Sequence, residues 1–161
     1  MYNGITEKTL ALPPISLEQM SGIKLMNRTD TKFVTTLEQL HSFLRAVQGK
    51  YFIQEIDGKR IASYHTTYFD TEDYRMYHMH HAGRCVREKI RVRTYLDSND
   101  TFFEIKNKNN HGRTKKKRVA IESLESVERE LHVVNPLLAK HAWYSIEEIS
   151  PAIENRFNRI T

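Results

Sequence analysis

The chain has 161 residues, of which 39% are hydrophobic and 28% charged, and this composition excludes a chain too polar to fold. Its single cysteine excludes an intramolecular disulfide and predicts a reducing, cytoplasmic compartment. No apolar run approaches the roughly 20 residues that a membrane span needs, so we expect no membrane span. The N-terminus lacks a basic segment followed by an apolar one, so we expect no secretory signal.

The net charge of +5 is unevenly distributed along the chain. Residues 84–118 contain 12 Lys or Arg and 4 Asp or Glu, whereas the remaining residues contain 13 and 16. A block of positive charge on an otherwise slightly acidic chain indicates a local site for an anion. It does not indicate a general coat of positive charge.

The first predicted part, residues 1–24, is an N-terminal arm followed by a short helix. Residues 1–12 show no clear period and are predicted to be a loose arm. The helix is predicted within residues 15–26, with Ser16 as its N-cap. The main domain is predicted to cover residues 25–161.

The main domain is predicted to begin with a strand and a helix. Alternation over residues 25–34 places Arg28, Asp30 and Lys32 on one face of a strand. Thr36 and Gln39 then have the spacing of a capping box, which predicts a helix over residues 36–47.

Two strands and a short helix are predicted next. Residues 51–56 and 60–69 have strand composition, and Asp57-Gly58 between them is typical of a hairpin turn. Thr71 begins a predicted helix that ends near Gly83.

Three basic strands form the centre of the predicted fold, at residues 87–95, 102–108 and 113–119. Successive strand side chains point to opposite faces, so alternate cations of each strand share one face. We expect the inward set to comprise Lys89, Arg91, Arg93, Glu104, Lys106, Lys108, Arg113, Lys115 and Lys117. Lys116 and Arg118 are expected to face solvent, and the Phe residues to lie on or near the core side. Like charges that face each other across strands repel, so this pattern predicts a bound anion.

The rest of the chain is predicted to contain two helices and one strand. Glutamates over residues 120–131 indicate an amphipathic helix with an acidic outer face. Residues 133–141 form a second predicted helix, and residues 152–160 a last strand.

With these motifs in place, the sequence resembles the polyphosphate polymerase (VTC) domain of the triphosphate tunnel metalloenzyme (CYTH-like) superfamily. The matching segments are RTDTKF at 28–33, YFDT at 68–71, HAG at 81–83, REKIRVRTY at 87–95, FEIKNK at 103–108 and GRTKKKR at 112–118. Their order and spacing carry the resemblance.

The resemblance implies an α+β fold, in which an antiparallel β-tunnel or barrel has helices packed outside it. The family domain usually continues well past the position of Thr161. Residues 25–161 are therefore expected to form the N-terminal portion of such a domain, with the C-terminal part missing and the tunnel incomplete. Open sheet edges would favour pairing of two copies as a homodimer.

The resemblance also implies roles for individual residues. Lys32, Arg91, Arg93 and Lys106 match catalytic positions. Arg28, Lys89, Lys108, Lys115, Lys117 and Arg159 are the expected phosphate-binding residues. Glu104 is expected to position a metal or a lysine, with the main metal ligand beyond Thr161. The implied cofactor is Mn²⁺ or Mg²⁺, and the implied ligands are ATP, polyphosphate, triphosphate and pyrophosphate.

The function that the resemblance implies is metal-dependent phosphoryl transfer, either polyphosphate synthesis from ATP or triphosphate hydrolysis. Arginine suits bidentate contact with phosphate, and lysine acts as a point charge. One alternative is a sensor that binds phosphate or polyphosphate without turnover. Another is an RNA-binding domain, but base recognition on a sheet usually uses exposed aromatic side chains. The predicted cation-bearing face has none, so no nucleic acid partner is expected.

Overall fold

The structure, a computed structural model, describes residues 3–21 and 31–161. The chain divides into two compact units, one formed by Met1–Ala62 with Asn158–Thr161 and the other by Ser63–Phe157. The predicted boundary between residues 24 and 25 lies outside the described residues and stays a prediction.

The described part of the first unit contains three short helices and two short strands. They are α1 (Asn3–Leu10), β1 (Pro14–Ile15), α2 (Leu17–Ser21), α3 (Leu37–Ala46) and β2 (Ile53–Gln54). Ile5, Leu12, Leu44 and Ile53 form its buried apolar cluster. The prediction of a loose arm over residues 1–12 is wrong, because Ile5 in α1 and Leu12 just after it join this cluster.

Side-chain caps begin two of these helices where the sequence predicts them. In α2 the Ser16 hydroxyl accepts a hydrogen bond from the Gln19 N–H at 3.1 Å. In α3 Thr36 and Gln39 form the predicted capping box. Satisfying the first N–H groups of a helix with side chains fixes where the helix starts.

Two predicted strands of this unit differ from the structure. In the predicted strand at 25–34, residues 31–34 have no regular secondary structure, and the others lie outside the described residues. Asp57 and Gly58 do form a tight turn, with φ of 50° and 74°, bridged by Ile56 and Lys59. However, β2 pairs in parallel with β1 and not with the strand after the turn.

The second unit is built on a five-stranded sheet. Its strands are β3 (Ala62–Asp70), β4 (Arg87–Tyr95), β5 (Asp100–Lys108), β6 (Thr114–Ile121) and β7 (Ser150–Arg159), in the order β6-β5-β4-β3-β7. The β3–β4, β4–β5 and β5–β6 pairs are antiparallel. Among the described strands, β6 and β7 are the edges, so the sheet is open. The predicted α+β class is confirmed, whereas the tunnel stays a prediction.

One face of the sheet, called here the core face, packs against helix α5 (Leu131–His141). Ile90 and Val92 pair across the strands with Ile105 and Phe103, and all four are buried. Val134 of α5 joins the same apolar cluster. The alternation of apolar residues along β4 and β5 therefore determines which face is buried.

Glu88 is a buried carboxylate on this core face. It accepts a hydrogen bond from the Trp143 N–H at 3.0 Å, just after the end of α5. Burial raises the pKa of Glu88, and the hydrogen bonds from Trp143 and Asn107 oppose that rise.

The prediction of a helix over residues 120–131 is wrong. Strand β6 continues to the buried Ile121, and residues 122–130 form turns before α5 begins at Leu131. The fully buried Ser126 accepts a hydrogen bond from the Ser123 N–H at 3.0 Å and donates one to the Ser123 carbonyl at 2.8 Å. Such local bonds compete with helical hydrogen bonds.

The core face supplies a first prediction about stability. Ile90 is 0% exposed at the centre of the sheet, so Ile90→Ala should leave a cavity and reduce the free energy of unfolding by about 2–5 kcal/mol. Leu96 follows the same strand but is 50% exposed, so Leu96→Ala should change it by no more than about 0.5 kcal/mol. Urea denaturation measures both, and equal losses would contradict the assignment of the core face.

Candidate anion-binding site

The face opposite the core carries most of the positive charge of β4, β5 and β6, and it is called here the cation face. The strand registers place eight cations on it: Arg87, Lys89, Arg91, Arg93, Lys106, Lys108, Lys116 and Arg118. Glu104 and Asp100 are the carboxylates that these three strands place on the same face, and of the two Glu104 is buried whereas Asp100 is exposed. Two like charges about 6 Å apart repel by roughly 3 kcal/mol at an effective dielectric constant near 20. Such a face therefore requires compensating negative charge.

Two cross-strand rows carry the densest charge. Lys89 pairs with Lys106, which pairs with Lys116. In the neighbouring row Arg91 pairs with Glu104, which pairs with Arg118. A grid of cations at strand spacing suits an extended anion better than a single small ion.

Glu104 holds this arrangement together. Its side chain is 1% exposed, and its Oε2 accepts hydrogen bonds from Arg91 Nε at 2.8 Å and Nη2 at 2.6 Å. Its Oε1 makes an ion pair with Lys116. The carboxylate thus joins cations of β4 and β6 from its position on β5, which lies between these two strands.

The pKa of Glu104 is lowered by these partners. Burial alone would raise it, but the hydrogen bond from Lys116 and the charge and hydrogen bond of Arg91 together outweigh burial. Glu104 is therefore ionised at neutral pH and partly neutralises the two cations.

Arg93 lies between aromatic rings at the far end of β4. Its guanidinium carbon is 5.2 Å from the centre of the Tyr64 ring and 5.4 Å from that of Phe157, and its Nε donates to the Thr66 hydroxyl at 3.1 Å. Burial, followed by the charge of Arg91, lowers the pKa of Arg93. These contacts fix the direction of the guanidinium group.

Aromatic side chains share this end of the cation face, which sequence reasoning missed. Tyr95 lies 5.1 Å from Tyr64 and 5.9 Å from Phe102 between ring centres, and Tyr64 stacks on Phe157 at 5.1 Å. The guanidinium carbon of Arg118 lies 4.1 Å from the centre of Phe102. The expectation of a cation face without aromatics is therefore wrong. Phe102 is two residues before Glu104, so strand alternation places both side chains on the same face. The sequence could therefore have shown that Phe102 lies on the cation face.

The structure brings together only part of the predicted inward set. Lys89, Arg91, Arg93, Lys106 and Lys108 share the cation face. In contrast, Lys115 and Lys117 pair with Asn107 and Ile105, so the expectation that they join this face is wrong.

Lys116 and Arg118 take the places on β6 that were predicted for Lys115 and Lys117. Lys115 and Lys117 instead lie on the α5 side, where their charges, after desolvation, contribute to a lowered pKa of His141. Lys115 and Lys117 are separated from Val119 and the buried Ile121 by even numbers of residues. Strand alternation therefore predicts that all four residues lie on the core face.

The comparisons with known proteins address the family of this chain. The sequence matches the VTC domain family over residues 27–158. The chain belongs to the VTC domain family. The predicted family is thereby confirmed.

Two further comparisons complete this result. Comparison with curated proteins finds no match. Among solved structures, a candidate adenylate cyclase from Vibrio parahaemolyticus is similar to this chain, with a TM-score of 0.40 and 9% sequence identity. The similarity covers 63% of this chain and 45% of that one, so this chain spans less than half of that protein.

Three further residues that the VTC resemblance implies are Arg28, Lys32 and Arg159. Arg28 is outside the described residues. Lys32 is exposed in the first unit. Arg159 is the last residue of β7, and this residue also belongs to the first unit. Their phosphate-binding or catalytic roles stay predictions.

The described residues of this VTC domain do not fit a divalent metal site. Among residues 3–21 and 31–161 no three His, Cys, Asp or Glu side chains are grouped to hold a metal ion. On the cation face, the carboxylate of Glu104 already contacts Arg91 and Lys116 through its two oxygens. Mn²⁺ and Mg²⁺ prefer several oxygen ligands, so the expected role of Glu104 as a metal ligand is not supported.

The described part of the chain also contains no helix that is long and apolar enough to cross a membrane.

Glu104 supplies a prediction about pH. Because its folded pKa lies below the unfolded value of about 4.3, its ion pairs stabilise the fold above that value and lose this effect as the pH falls through the folded pKa. At pH 7, Glu104→Gln should lower the free energy of unfolding by about 1–3 kcal/mol, because both cations lose their partner. The difference from wild type should shrink as the pH falls below about 4.3 and through the lowered folded pKa of Glu104.

Urea denaturation across this pH range measures the difference. The titration of Glu88 is present in both proteins and cancels in the comparison. A difference between wild type and Glu104→Gln that stays constant with pH would contradict the assigned ion pairs.

Proposed function

We propose that the cation face binds the phosphates of ATP, triphosphate, pyrophosphate or polyphosphate. The observation that carries this proposal is the placement of eight cations and one buried carboxylate on a single face of three adjacent strands. Each arginine can contact two phosphate oxygens, whereas each lysine contributes a point charge. Membership of the VTC domain family supports the same ligand class.

Within this proposal the residues have distinct tasks. Arg91 is oriented by Glu104, and Arg93 by Thr66 and its two ring neighbours, so both present fixed guanidinium groups. Lys106 lies in the centre of the lysine row on β5 and is exposed. Fixed positive charge placed where negative charge develops is the main aid that protein gives to phosphoryl transfer.

We further propose that the cation face supports phosphoryl transfer, either from ATP to a phosphate chain or from a triphosphate to water. No step in this proposal uses Glu104 as a metal ligand. By family resemblance, Lys32 stays a proposed catalytic residue, and Arg28 and Arg159 stay proposed phosphate-binding residues. An assay of polyphosphate formation and phosphate release from ATP, with Mn²⁺ or Mg²⁺ supplied, tests the transfer.

Arg91→Ala and Lys106→Ala are the informative variants in that assay. Each should lower the rate about 10-fold or more, because each removes a charge that contacts the transferred group. Unchanged rates in both variants would contradict the assignment. Tight binding without turnover in the wild type would instead support a sensor.

RNA binding is a second candidate because of the aromatic rings beside Arg93 and Arg118. Stacking of bases on such rings is a common mode of single-strand binding. Both ligand classes bind with strong salt dependence, so salt alone does not separate them. Competition between the two ligands does separate them. If tripolyphosphate fails to displace a single-stranded RNA, or if RNA binds far more tightly than tripolyphosphate, the polyphosphate proposal is contradicted.

A homodimer formed through open sheet edges remains part of the proposal. Symmetrical pairing of two β6 strands would bring the cations at positions 115–118 of both copies together, and this repulsion disfavours it. Pairing through β7 avoids that repulsion.

Two neighbouring strand positions supply a matched prediction for binding. Lys106→Ala removes a charge from the cation face, whereas Lys117→Ala removes the same charge from the core face of the adjacent strand. We expect Lys106→Ala to weaken tripolyphosphate binding about 5- to 10-fold, and Lys117→Ala to weaken it less than about twofold. Isothermal titration calorimetry at constant ionic strength measures both affinities. Equal weakening would show that net charge, and not the cation face, determines binding.

A further inference from the structure

A cavity of about 210 Å³ lies at the end of β3 and β4 where helix α4 (Arg75–His81) connects these strands. It is lined mainly by Tyr68, Met76, Tyr77, His80, Lys89 and Ile153. Lys89 is also a member of the cation face. The cavity therefore opens beside the lysine row of the proposed phosphate site.

The carboxylate that lines the cavity, Asp70, is already hydrogen-bonded within the protein. Asp70 accepts hydrogen bonds from the Met76 N–H at 2.9 Å and the Tyr77 N–H at 2.8 Å, one on each carboxylate oxygen. Of the other lining residues, Tyr68, Met76, Tyr77 and Ile153 present rings and apolar groups, whereas the side chains of His80 and Lys89 contact each other at 3.1 Å. An occupant is therefore selected by shape and apolar contact, without a hydrogen bond to Asp70.

The volume of the cavity, about 210 Å³, is sufficient for one ring system. A dry cavity of about 150 Å³ in another protein holds benzene, whereas pockets for whole drug-sized ligands start at about 300 Å³. Tyrosine rings and a methionine thioether are favourable neighbours for an aromatic ring. Tyr68 and Tyr77 provide such rings here.

Lys89 connects this cavity to the phosphate site. Its Nζ lies 3.1 Å from His80 Nε2 at the cavity and 5.9 Å from the centre of the Tyr68 ring. Across the sheet it pairs with Lys106 and, beyond it, Lys116. A molecule with a ring in the cavity would carry its phosphates directly onto this row.

We propose that the cavity holds the base of a nucleotide whose phosphates lie on the cation face. This inference rests on the proposed phosphate-binding function and adds a separate subsite to it. Because Asp70 is already satisfied, the base is held by stacking and apolar contact. Adenine and guanine nucleotides should accordingly bind with similar affinities, within about threefold.

Calorimetric titration with ATP and with tripolyphosphate separates the two subsites. Ile153 is 40% exposed on β7, so Ile153→Trp fills the cavity from its outer side with little effect on the core. We expect this variant to weaken ATP binding about 5- to 10-fold and to leave tripolyphosphate binding within about twofold. Leu96→Trp, at an exposed position that does not line the cavity, is the matched control and should change neither affinity.

Tyr77→Ala provides a second variant at an exposed lining position, should Ile153→Trp fail to fold. It should also weaken ATP binding selectively. Unchanged ATP affinity in the folded variants, or equal weakening of both ligands, overturns the proposed base subsite. Wild-type protein that binds ATP but not tripolyphosphate would contradict the phosphate function while the cavity variants still test the subsite. Binding of neither ligand overturns both.

Discussion

The burial of Glu104 between Arg91 and Lys116 is the interaction on which the cation face depends. Three adjacent strands place eight cations on one side of a sheet whose other side is an apolar core. Because strand side chains alternate, the cations cannot leave that side without exposing the core. One carboxylate on the central strand links the outer two strands and relieves part of the repulsion. The remaining positive charge is available to an anion.

The surroundings of these cations limit what the anion can be. Arg93 and Arg118 lie against aromatic rings, which restrict their orientation, whereas the lysine row is more open. The apolar cavity beside Lys89 adds a place for a ring at the opposite end from the aromatic cluster. The same face thus combines a grid of positive charge with neighbouring aromatic and apolar groups. A purely solvated basic surface would need neither the buried carboxylate nor the oriented guanidinium groups.

Where charged and apolar residues alternate along a strand, the sequence correctly predicted which side chains lie on each face of the sheet. Ile90 and Val92 in β4, and Phe103 and Ile105 in β5, correctly separated the core face from Lys89, Arg91, Arg93 and Lys106. In β6 four successive cations have no apolar residue between them, so the register depends on the loop at residues 109–113 and on Val119 and Ile121. The turns after Ile121 were missed because Ser123 and Ser126 bond each other locally, a competition that helical spacing does not reveal. Helix α1 has a weak pattern of its own and depends on packing with α3 and β2.

The location of a bound anion tests the central claim most directly. A crystal structure determined with tripolyphosphate is predicted to show its oxygens within about 2.7–3.2 Å of side-chain nitrogens of Lys106, Arg91 or Arg118. An anion bound only to Lys115 and Lys117 on the α5 side, with the cation face contacted by solvent alone, would contradict this account.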